Sequence, residues 1–99
     1  MEDLKREEII GLYDIYGSLL TDKQRTYFED YYYMDLSLAE IAENYNISRN
    51  AIHDQLERVN EALINFESNL HLHNKFKKIK NLDIEDKIKD EILNILWEE

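Results

Sequence analysis

The sequence predicts an all-α protein built on a helix-turn-helix, with a long second motif helix and an amphipathic helix toward the C-terminus. Three observations lead there. The 99 residues include no proline and only two glycines, Gly11 and Gly17, so few positions oppose helix propagation. Apolar residues recur at helical spacing along most of the chain. Capping sequences stand in front of the helical stretches. A chain of this length supports one core, and we read residues 1–99 as a single helical domain: an N-terminal helix in 1–20, a helix-turn-helix region in 21–60 and a helical extension in 61–99.

Each element has its own signal. Residues 3–20 place Ile9, Leu12, Tyr13, Tyr16, Leu19 and Leu20 on one helix face, which should pack on the rest. "TDKQ" at 21–24 is a capping box in which Thr21 accepts from the backbone and Gln24 reaches back, so a second helix starts there and runs to about Tyr33. "SLAE" at 37–40 is another capping box. The short helix it opens should end at Tyr45, where Asn46 suits a left-handed turn, and Ser48 caps the next helix. That helix is long. Ile52, Leu56, Val59, Leu63, Phe66 and Leu70 alternate by four and three residues, the seam of helices packed side by side. The seam stops near His71 and shifts register to Leu72, Phe76 and Ile79, before "NLDIED" restarts a helix at about Asp83. Ile84, Ile88, Ile92, Ile95, Leu96 and Trp97 then gather near one side.

Composition narrows the function. Twelve Lys and Arg face 22 Asp and Glu, a formal net charge of -10, which repels phosphate backbones at long range and argues against a charge-driven nucleic-acid binder. With no cysteine there are no disulfides or thiolate metal sites, as suits a reducing cytosol. The start lacks the basic and apolar regions of a signal peptide, and no apolar run is long enough to span a bilayer, so the expectation is a cytoplasmic protein. No Ser-His-Asp set, phosphate-cradling glycine loop or carboxylate pair stands out, and we expect neither enzymatic activity nor a cofactor. His71 and His73 diverge by about 200° on a helix and predict no metal site.

The most specific signal is "SLAEIAENYNISRNAIHDQLERV" at 37–59. Leu38, Ile41, Ala42, Ile47, Ile52 and Leu56 are spaced to pack two helices across a tight turn, as in a helix-turn-helix; a plain helical hairpin is the alternative. With "LLTDKQ" before it, this stretch resembles the YlxM family of small bacterial helix-turn-helix proteins and, more distantly, the C-terminal DNA-binding domain of sigma factors. The resemblance covers about residues 12–72. It implies a helical protein tied by gene neighbourhood to the signal recognition particle and its receptor, with a regulatory role in that pathway. From sigma-like domains it carries candidate base-reading roles onto Arg49, Asn50, His53 and Asp54, at the start of the second motif helix, and Arg58 on the same helix is a further candidate nucleic-acid contact.

The charge pattern of this stretch departs from sigma-type helices, which are rich in basic residues. With Ile52, Leu56 and Val59 turned inward, the outermost stripe is Asn50, Asp54, Glu57 and Glu61. Across 21–60, Lys23, Arg25, Arg49 and Arg58 oppose Asp22, Glu29, Asp30, Asp35, Glu40, Glu43, Asp54 and Glu57. Base edges could still be read at the helix start, but phosphate clamping is poor, and we expect weak DNA binding. The concentrated positive patch is Lys75, Lys77, Lys78 and Lys80, which either contacts RNA of the particle or an acidic protein, or pairs with Asp83, Glu85 and Asp86. The tyrosines, among them Tyr27 and Tyr31 four apart, read as core rather than as base-stacking platforms. Partners therefore stay open among DNA, particle RNA and particle proteins. The surplus of apolar surface on the long seam and the last helix predicts a homodimer; the alternative is that the first helix covers the seam and leaves a monomer.

Overall fold

The computed structural model describes residues 4–98, and those residues form six α-helices and no strand. In chain order they are α1 (Arg6–Tyr16), a 3-10 turn (Gly17–Leu19), α2 (Asp22–Tyr32), α3 (Leu38–Tyr45), α4 (Arg49–Leu70), α5 (Leu72–Lys80) and α6 (Asp86–Leu96). The predicted start of the first helix at Asp3 lies outside the described residues. The last helix begins at Asp86, with Glu85 at its cap position, three residues after the predicted start.

Local chemistry sets the boundaries. Both capping boxes form: the Gln24 amide donates to the Thr21 hydroxyl at 3.2 Å while the Thr21 amide donates to Gln24 at 3.0 Å, and Ser37 and Glu40 do the same at the head of α3. Asn46 stops α3 with φ 55°, a left-handed conformation that asparagine tolerates, and turns the chain toward Ser48, whose hydroxyl accepts from the Ala51 amide at 3.0 Å. α4 runs to Leu70, where His71 takes φ 58° and breaks it from α5.

Two apolar clusters meet along α4. The first joins Leu12, Tyr13 and Tyr16 of α1 with Phe28 of α2 and Val59 and Leu63 of α4, and Tyr13 stacks on Phe28 at 4.1 Å between centroids. The second joins Tyr27 of α2, Ile41 and Ala42 of α3, and Ile52 and Leu56 of α4, which is the helix-turn-helix core. The N-terminal part of α4 therefore holds the motif, and its middle is the surface on which α1 lies. The intramolecular alternative holds for the seam as far as Leu63, whereas Leu70 at its end is exposed. At the far end of α1, Arg6 bonds the Tyr32 carbonyl and pairs with Asp35 at 3.0 Å, tying α1 to the turn after α2.

Two expected core residues lie outside. Leu19 is 58% exposed while Leu20 is 8% exposed, because the 3-10 turn advances about 120° per residue rather than 100° and rotates Leu19 off the α1 face. Ile47, in the motif turn, is on the surface. Five of the tyrosines follow the core reading, with Tyr13, Tyr16 and Tyr27 buried and Tyr31 and Tyr32 half-buried against the two clusters, whereas Tyr33 and Tyr45 are exposed.

The shape is elongated, 50 × 23 × 22 Å, with a radius of gyration of 15.9 Å, against about 13 Å for a compact domain of this length. None of the residues of α6 is buried.

Candidate nucleic-acid interface

The helix-turn-helix presents the start of α4. Ser48 caps that helix, and Arg49, Asn50, His53, Asp54 and Arg58 are exposed on its first turns, so the structure brings the five predicted contact residues of this helix onto one element. Arg49 and Asn50 sit where the open amides of a helix start give a weakly positive end. Beyond them the surface turns acidic. The expected outward stripe is largely observed: Asn50, Asp54 and Glu61 are exposed, and Glu57 is half-buried.

His53 lies between two of those acids. Its Nδ1 is 3.7 Å from an Asp54 oxygen and its Nε2 is 3.4 Å from Glu57, so both ring nitrogens face carboxylates and the ring is poorly placed to read a base edge. Together the three offer ligand atoms within 4.8 Å of one another, a surface donor set that the sequence reading did not single out. Two of the motif region's acids serve the fold instead: Asp30 accepts from the Tyr45 hydroxyl at 2.7 Å, and Asp35 pairs with Arg6. The Asp30 carboxylate, with some burial, pushes the Tyr45 hydroxyl up to about 12.

The second predicted patch is on α5, remote in sequence from the motif. Phe76 is buried, and Lys75, Lys77, Lys78 and Lys80 are exposed around it. Among the described residues none of the four forms an ion pair, so the alternative of pairing with Asp83, Glu85 and Asp86 is not made.

What orients this lysine face is a hub that sequence reasoning missed. Glu67, on the last turns of α4, accepts from the His73 amide at 3.0 Å with Oε1 and from the Asn74 amide at 3.2 Å with Oε2. It thereby caps the N-terminus of α5 from outside that helix. Tyr16 of α1 completes the hub: its hydroxyl donates to Glu67 Oε1 at 2.6 Å and accepts from the Leu72 amide at 3.1 Å. Burial opposes the charge of Glu67, but these hydrogen bonds outweigh it and hold its carboxyl below the usual range. Burial and the adjacent carboxylate push the Tyr16 hydroxyl up to about 12. Tyr16 and Glu67 are 51 residues apart, too far for any local motif to reveal. On α1, Gly11 leaves room for the His73 ring, whose Cε1 would lie 2.6 Å from an added Cβ. His71 and His73 accordingly serve a helix break and a packing contact.

The structure therefore presents an exposed helix start with an acidic flank, and a cationic helix held against α4 and α1 by a part-buried polar hub. No helix among the described residues is long and apolar enough to cross a membrane.

Comparison with known proteins agrees with this architecture along nearly the whole chain. Residues 4–97 match the family described as "Putative helix-turn-helix protein, YlxM / p13 like". The chain is 47% identical over 85 residues to a UPF0122 protein of Desulforamulus reducens, covering 86% of this chain and 68% of that protein. It is 40% identical over 104 residues to a UPF0122 protein of Malacoplasma penetrans, covering 98% and 97% of the two. A third relative, UPF0122 protein YofM of Lactococcus lactis, is 43% identical over 89 residues, 90% of this chain and 79% of its own. The family match takes in α5 and α6 as well as the motif, so the extension is part of what these proteins share, and the chain belongs to the YlxM / p13-like helix-turn-helix family.

Proposed function

We propose that this protein is a non-enzymatic regulatory protein of the signal recognition particle pathway, acting by binding through a helix-turn-helix scaffold. The pathway assignment rests on the family resemblance. The mode of action rests on one observation: the face of α4 that would enter a DNA groove carries Asp54, Glu57 and Glu61, with His53 held between the first two. Affinity for duplex DNA comes largely from phosphate neutralisation, and this face opposes it. A basic protein surface of the particle is its electrostatic complement. The unpaired lysines of α5 support a second reading, contact with the RNA of the particle.

Binding of the purified chain to the particle's protein, to its RNA and to a pool of duplex DNA, each across a salt series, tests the proposal. We expect binding to the protein component that is lost in the variant Asp54→Lys with Glu57→Lys. Tight binding of one duplex sequence at physiological salt, abolished by Arg49→Ala, would replace it with direct DNA reading. RNA binding abolished by Lys75→Ala with Lys78→Ala would favour the second reading.

A further inference from the structure

We infer that the α5–α6 hairpin is a homodimer interface, in which the lysine face of α5 in each copy meets the acids of the α6 segment in the other. This stands independently of the partner that α4 recognises. The first observation is surface area. The chain exposes 7133 Å², whereas surface scaling gives about 6,000 Å² for a monomer of its mass. The excess, on the order of 1,000 Å², matches the roughly 800 Å² per partner that a stable interface buries.

Half of the exposed large hydrophobic residues, Leu82, Ile84, Ile88, Ile95, Leu96 and Trp97, lie in the last segment. Ile88 is 43% exposed, Ile95 67%, Leu96 47% and Trp97 51%. Leu93 is half-buried, and α6 meets α5 through Trp97, 5.1 Å from Phe76. At about 100° per residue Ile88 and Ile95 lie some 220° and 200° from Leu93, on the face turned away from the rest of the chain. Among the described residues no element covers them.

Charge selects a second copy as the occupant. Residues 72–80 carry four lysines and no acid, while residues 81–98 carry six acids, Asp83, Glu85, Asp86, Asp90, Glu91 and Glu98, against Lys87 and Lys89. The two segments are nearly equal and opposite, adjacent in sequence, and unpaired with each other among the described residues. A twofold contact puts each patch of one copy against the opposite patch of the other, so one surface satisfies both. An acidic foreign protein would match only α5. The net charge of -10 repels a second copy, but screening over about 8 Å at physiological ionic strength confines that repulsion, whereas desolvated contact pairs keep their attraction.

Charge exchange between copies tests this directly. Variant A is Lys75→Glu with Lys78→Glu, and variant B is Asp86→Lys with Asp90→Lys. Sedimentation equilibrium at physiological ionic strength should give a dimer for the unaltered chain at tens of micromolar. A alone and B alone should each weaken self-association at least about tenfold. An equimolar mixture should restore a dimer, because each junction then joins opposite charges; this also shows that both variants are folded. A monomeric unaltered chain at 100 micromolar overturns the proposal, as do variants that dimerise unchanged or a mixture that stays monomeric. Variant A losing RNA binding at unchanged mass would assign the lysines to nucleic acid instead.

Discussion

Glu67 decides how α5 leaves α4, and its effect has a defined pH dependence. The carboxyl is held below its ordinary range in the fold, so its contribution is complete above the unfolded carboxylate pKa, near 4.5, and is lost as pH falls through the lower folded value. Tyr16 has the opposite sign. Its hydroxyl is raised from 10.0 to about 12, so the neutral form favours the fold below pH 10 and that contribution disappears as pH rises toward 12. The variant Glu67→Gln keeps the shape but weakens the hydrogen bonds to Tyr16 and the α5 amides, and should cost about 1–2 kcal/mol. Urea unfolding at pH 7 and pH 4 checks this: the difference between native and variant should shrink at the lower pH. On the motif surface, Asp54→Asn with Glu57→Lys removes two carboxylates facing His53 and should raise duplex affinity about tenfold or more at low salt, with a steeper salt dependence, measured by fluorescence anisotropy.

At the scale of elements, the helix-turn-helix depends on how α3 ends and α4 begins. Asn46 sits at φ 55°, a region that a β-branched side chain enters only with strain. Asn46→Val should therefore destabilise the fold by about 1–2 kcal/mol, while Asn46→Gly stays close to neutral. Ser48→Ala removes the acceptor of the Ala51 amide and should cost about 1 kcal/mol. Chemical denaturation of the three variants against the native chain reads these differences. α4 itself is held by the burial of Ile52, Val59 and Leu63, each fully enclosed. α1 supplies the cover over the last two, so α4 needs no second chain along that stretch.

For the whole molecule, the core clusters and the last helix differ in burial. Residues 6–70 hold every buried residue of the two core clusters, whereas α6 buries none. A chain ending at Asn81 should keep its helix-turn-helix, and should lose melting temperature only through the contact of Trp97 on Phe76 and the loss of the dimer, a shift on the order of 10 °C for about 1–2 kcal/mol. Circular dichroism melts check the first point. The same truncation should abolish self-association, and a melting temperature lowered by much more would place α6 in the core.

Local chemistry made most of the fold legible. Thr21, Ser37 and Ser48 cap within three residues of themselves, Asn46 turns by its own backbone preference, and the four-and-three spacing from Ile52 marks the inner face of α4, so sequence alone specifies these features. The acidity of the motif surface was equally plain, since at 100° per residue Asp54, Glu57 and Glu61 have nowhere to lie but outside. The fate of the seam was not legible, because α1 and a second chain offer the same apolar chemistry to Val59 and Leu63, and only the path of the chain through Leu20 and α2 brings α1 there. Leu19 left the packed face while Leu20 kept it, because a 3-10 turn depends on how the chain leaves α1, not on apolar spacing. The Tyr16–Glu67 hub belongs wholly to tertiary structure: two polar residues 51 positions apart acquire a joint role only once α1 packs beside α4 and the break at His71 leaves the amides of α5 in need of an acceptor.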